Sequence, residues 1–120
     1  MGLMHVSVVV RKPGALHGGY EALFLVDTGA TDSMAPASAL AEAGIPAIGR
    51  SSYELADGSV REYAFGLAQI EFMGEITAGR VIFGPEHLTP ILGVTAMESV
   101  GIAIDPANQT LKRLPAVPLK

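Results

Sequence analysis

The stretch Leu23-Phe24-Leu25-Val26-Asp27-Thr28-Gly29-Ala30-Thr31 sets an acid directly after an apolar run. Strand interiors are usually buried and carboxylates usually are not. A carboxylate at the end of such a strand lies at the edge of a core, where backbone N–H groups or a hydroxyl must satisfy it. Gly29 lets a second backbone or a bound molecule come close. Asp, Thr and Gly are also common turn residues, so the triplet alone reads equally well as a plain strand exit.

Upstream, residues 4–11 are β-branched and apolar and predict a strand, and 12–19 are turn chemistry. Residues 20–26 form a nearly continuous apolar run, the pattern of a strand covered on both faces. Asp27 to Ser33 reads as a polar loop. Downstream, Pro36 to Ala43 predicts a short helix stopped by Gly44. Residues 51–57 and 59–65 read as two strands joined at Asp57-Gly58, a hairpin of about 51–65 that is more polar than its surroundings. In 67–73 the alternation puts Ala68, Ile70 and Phe72 on one face. A turn at Gly74-Glu75 leads to a strand over 76–83. After a loop at 85–90 and the short apolar Ile91-Leu92-Gly93, Thr95-Ala96-Met97-Glu98 matches a capping box opening a helix that ends near Gly101. Residues 102–104 and 111–114 close the set as strands, with a turn at 105–108 and a tail at about 115–120.

These elements define an all-β fold with one or two short helices in a single domain over 1–120. Fourteen glycines and eight prolines in 120 residues agree with many turns, and 49% hydrophobic residues suffice for one core. The net charge of −4 argues against nucleic acid as partner. The absence of cysteine excludes disulfides, thiolate metal sites and a cysteine nucleophile. No segment has the length of a membrane helix. Val8-Val9-Val10 is too short for a secretory signal, so the expected location is the cytoplasm.

The segment Leu25-Val26-Asp27-Thr28-Gly29-Ala30 resembles the catalytic loop of the retropepsin-like aspartic proteases, the single-domain relatives of pepsin. Ile91-Leu92-Gly93 ahead of a short helix resembles that family's second signature. Tyr53 to Tyr63, around Asp57-Gly58, stands where the family has its flap. Order, spacing and length agree from about residue 4 to residue 114, and the tail from Gly101 to Asn108 looks like small prokaryotic members. Two features depart from many relatives. Thr31-Asp32 follows Ala30 where viral members carry acids, and Val94 follows Gly93 where an Asp, Asn or Arg is common.

The resemblance implies a small closed β-barrel and an aspartic endopeptidase. Such chemistry uses two carboxylates that share one proton, since like charges about 3 Å apart do not both ionise. One activates a water and the other polarises the scissile carbonyl. Neither a metal nor another cofactor is needed. One Asp-Thr-Gly supplies half of this pair, because Asp32, Asp57 and Asp105 sit in a loop or turns. A two-fold homodimer brings each Asp27 beside its copy. The same resemblance makes Thr28, Gly29, Ala30 and Thr31 the support of the active loop, with Thr28 hydroxyls bonding across the axis. Ile91, Leu92 and Gly93 back that loop. Tyr53, Ala56, Asp57, Gly58 and Ser59 form the flap over an extended peptide or protein substrate, the backbone of 56–59 available for strand addition. Tyr53 either contacts substrate or packs under the hairpin.

Other readings of the same residues are weaker. His5, His17 and His87 lack the clustering of a metal site. Ser33 and Ser38 have no His–Asp partners. Gly18-Gly19 lacks the Lys and Ser/Thr of a phosphate loop. The five methionines read as gap-filling or terminal residues. A non-catalytic peptide-binding module on the same fold is the alternative function. An unrelated small barrel with a chance triplet is the third.

Overall fold

The computed structural model describes residues 4–117 and Leu119; Met1, Pro118 and Lys120, named above among the methionines or the tail, lie outside them. The described residues form nine strands and two short helices. These are β1 (His5–Arg11), β2 (Tyr20–Asp27), β3 (Ser33–Pro36), α1 (Ala37–Glu42), β4 (Gly49–Glu54), β5 (Val60–Phe72) and β6 (Glu75–Gly84). They continue as β7 (Ile91–Gly93), α2 (Val94–Ser99), β8 (Ile102–Asp105) and β9 (Thr110–Arg113).

The main sheet runs β1-β2-β7-β3-β6-β5-β4, and an added β1–β5 pairing closes it into a ring. Closure removes most of the free edges that an open sheet exposes. The long β5 makes this possible. Residues 60–65 pair with β4, 65–72 with β6, and 69–72 also with β1. The two strands expected on either side of residue 66 are thus one strand. β4 hangs on β5 as an arm outside the ring, and β8 and β9 form a separate two-stranded sheet. Among the described residues, no helix is long and apolar enough to cross a membrane.

Alternation fills the interior. Val8 and Val10 of β1 meet Ala68, Ile70 and Phe72 of β5, with Phe24, Val81, Leu92 and Met97 closing the core. The inward face of β5 is the one its alternation predicts. In β2 the expectation of two covered faces holds only in part. Leu23 is 63% exposed, because β2 reaches β7 only at Leu25–Asp27 and the face bearing Leu23 has no covering layer.

Two local readings are corrected. Residues 33–36 form β3, a strand parallel to β6, where a polar loop continuing into a helix was expected. The helix itself begins at Ala37, with Pro36 at its N-cap. The predicted cap of α2 is absent. Gly93 is the N-cap, Thr95 lies inside the helix, and no side chain caps it. The first-turn amides find carbonyls of a neighbouring loop instead: Val94 N donates to Ala30 O at 2.8 Å and Thr95 N to Thr31 O at 3.2 Å. Helix ends need such partners, and tertiary structure supplies them here.

Candidate active site

Asp27 ends β2 in parallel register with Gly93 of β7. Half-buried there, it heads a tight turn: Ala30 N donates to Asp27 O at 3.1 Å, and Gly29 N donates to the Asp27 carboxylate Oδ1 at 2.9 Å. A side chain at residue 29 would stand 3.2 Å from that same oxygen. Glycine here therefore serves the carboxylate's hydrogen bond and keeps its approach open.

The loop is locked from behind. A Cβ on Gly93 would fall 2.6 Å from the Asp32 carbonyl carbon and 2.8 Å from Thr31 O, so only glycine lets β7 lie against the loop this closely. The amides of Val94 and Thr95 bind the carbonyls of Ala30 and Thr31, and the Gly93 amide donates to Ser33 Oγ at 3.0 Å. Ser33 is the buried polar side chain among the described residues, and this bond satisfies it. Leu92, wholly buried, anchors the segment in the core. The residues picked out at 27–31 and 91–93 thus meet in one structure.

A cleft of about 680 Å³ opens above this loop. Asp27, Gly29, Ala30, Thr31 and Asp32 form its floor. Met34, Ile82 and Ile91 form an apolar wall, and Ser52 to Ala56 with Tyr63 form the arm side. Tyr53 and Ala56 line the cleft as their place in the hairpin predicts. Thr28 is exposed beside Asp27 and outside the lining, as are Asp57, Gly58 and Ser59 at the arm's tip.

The tip is a turn wider than a two-residue hairpin. Leu55 N donates to Ser59 O at 2.8 Å and Gly58 N to Leu55 O at 2.9 Å, with Gly58 at φ +85°. Asp57 Oδ1 accepts from Ser59 N at 2.9 Å and from Ser59 Oγ at 2.6 Å. The Ser59 hydroxyl and amide hold the Asp57 carboxyl below its ordinary range.

Asp32, Met34, Ser52, Glu54, Leu55, Tyr63 and Ile82 join the cleft without having been singled out. Asp32 shares the loop with Asp27, and Tyr63 faces Tyr53 across the arm, so position alone pointed to these two. The Tyr53 hydroxyl donates to Asp32 Oδ2 at 2.9 Å, and its ring lies 6.3 Å from that of Tyr63. Burial and the Asp32 carboxylate push the Tyr53 hydroxyl above its ordinary value of 10.0, while Arg80 pulls the other way. His5, His17 and His87 are exposed, and no group of three His, Asp or Glu gathers among the described residues.

The sequence matches the model of the aspartyl protease family over residues 13–96, a span holding both the Asp27 loop and the Gly93 segment. The chain belongs to the aspartyl protease family. No curated protein matches it. Among solved structures it is similar to the retroviral protease-like domain of Ddi1 from Leishmania major, at 17% identity and a TM-score of 0.60, over 97% of this chain and 91% of that one. That likeness shows a retropepsin-like fold, in agreement with the ring of strands.

Proposed function

We propose that the protein is an aspartic endopeptidase that acts as a homodimer in the cytoplasm. One observation carries this reading. Asp27 sits at the floor of the cleft on a loop fixed by the main chain of residues 93–95, with one carboxylate oxygen already bonded to the Gly29 amide. A carboxylate held so firmly in a cleft is suited to meet its symmetry mate, and membership of the aspartyl protease family supports that role.

In the dimer, the two Asp27 carboxylates share one proton across the axis. The ionised one takes a proton from a water as that water attacks the scissile carbonyl. The protonated one polarises the carbonyl, and a proton passes to the leaving amine as the C–N bond breaks. The exposed Thr28 hydroxyls bond across the axis and hold the two loops together. An extended peptide lies between the floor and the arm, which closes as a flap and excludes water. Backbone groups of 56–59 pair with it by strand addition. No metal or other cofactor takes part.

The test is cleavage of an unfolded protein between mildly acid and neutral pH, with and without a statine-containing peptide. Inhibitor-sensitive cleavage that Asp27→Asn abolishes is expected. Peptide binding without any product, equally strong in Asp27→Ala, overturns this reading in favour of a binding module.

A further inference from the structure

The β4–β5 arm is fastened to the barrel by side chains at two places. At its root, Arg80 of β6 donates from Nη1 to Ser51 Oγ at 2.9 Å, with its guanidinium 3.9 Å from the Phe65 ring centre. Further out, Tyr53 reaches Asp32 on the loop that carries Asp27. Beyond Tyr53, the side-chain hydrogen bonding found among the described residues is internal to the tip, between Asp57 and Ser59, while the Arg50–Glu62 pair on the root side joins the arm's own two strands.

The acceptor sits on the loop packed against residues 93–95. Asp32's main chain lies against Gly93, and Thr31 O is held by the Thr95 amide. The donor is on β4, which hangs on β5 at the end of the sheet. Its ring, tilted 54° to that of Tyr63, keeps the hydroxyl aimed at the loop. A hydrogen bond to a carboxylate in a half-buried position is stronger than a neutral one and is only partly screened.

We infer that Tyr53 is a positioning residue. Its hydroxyl, held by Asp32, seats the arm over the Asp27 loop and fixes where the moving part of the arm begins. This rests on the reading of the arm as a flap over a substrate cleft. With the bond made, substrate meets an arm already ordered and does not bear the entropy of ordering it. The bond is made before substrate arrives, so its loss acts on binding and leaves the chemical step largely alone.

The test measures amide hydrogen exchange over residues 54–60, and steady-state peptide cleavage, in Tyr53→Phe, Asp32→Ala, Asp32→Asn and the Tyr53→Phe/Asp32→Ala pair. Tyr53→Phe and Asp32→Ala each raise exchange at the tip roughly tenfold, the size of one such bond. The double variant goes no further than either single one, since both remove the same contact. Asp32→Asn keeps a carbonyl acceptor but loses its charge, so its exchange rises by less than in Asp32→Ala. KM rises by a similar factor while kcat stays within about twofold. Unchanged exchange in Tyr53→Phe, effects that add in the double variant, or a fall in kcat with KM unchanged overturns the inference. If the wild-type protein cleaves nothing, the endopeptidase reading fails, and the exchange data still decide whether the arm is held by Tyr53.

Discussion

Replacing Gly93 by alanine tests whether close main-chain contact is what shapes the Asp27 loop. The new Cβ would stand 2.6 Å from the Asp32 carbonyl carbon, 2.7 Å from its oxygen and 2.8 Å from Thr31 O. All three are main-chain atoms, so no rotamer change relieves the clash. Overpacking costs about 1–3 kcal/mol, and rigid neighbours place this case near 3. Alanine also narrows the unfolded ensemble, which offsets about 0.4–1 kcal/mol. The net loss is about 2 kcal/mol. With an unfolding entropy of about 2.1 cal/mol/K per residue, Tm falls by about 8 °C in a chain of 120 residues. Two controls sharpen the assay. Gly66→Ala puts its Cβ 2.5 Å from Pro46 O, away from the Asp27 loop, and loses similar stability. Gly79→Ala meets nothing within 4 Å and melts near wild type. At a temperature where all are folded, Gly93→Ala loses about a hundredfold in cleavage, as small misplacements of reacting groups do, while Gly66→Ala stays close to wild type. A Gly93→Ala protein that melts and cleaves like the parent refutes the reasoning.

Ser33→Ala leaves the buried Gly93 amide without its acceptor and destabilises by about 1–3 kcal/mol, read by urea unfolding. Acid sensitivity follows from Glu71. Its bonds from Arg11 and Gln69 hold the carboxyl below its ordinary 4.5. Stability from this lowered value is present above about pH 4.5 and is lost as the pH falls through it. Arg11→Met therefore unfolds more easily at neutral pH, by about 1 kcal/mol, and the gap to wild type narrows in acid, where only the lost Arg11 bond to Gly18 O remains. Equal gaps at both ends of a pH series of urea titrations contradict this.

The parts of the fold that could be read from the sequence are those with strong local signals. The inward row Ala68, Ile70 and Phe72 follows from period-two alternation, and the acid after an apolar strand marks the Asp27 loop. Ile91-Leu92-Gly93 stands out as a short apolar stretch leading into a helix, but the reason for the glycine lies in Asp32, sixty-one residues earlier. β3 stayed hidden because Ser33-Met34-Ala35-Pro36 carries no period and ends in proline. It becomes a strand through its parallel pairing with β6, a non-local contact. The cap of α2 is illegible for the same reason, since loop carbonyls do what the sequence assigns to Thr95. The Tyr53–Asp32 bond joins residues from a hairpin and a loop whose sequences give no hint of each other.

The lock on the Asp27 loop also orders events during synthesis. The acid and its Asp-Thr-Gly turn leave the ribosome before the glycine and amides that give the turn its shape, which come from residues 93–95. A nascent chain halted before that point holds the reactive group without the geometry that makes it useful. Translation thereby delays the shaping of this loop until nearly the whole barrel can close.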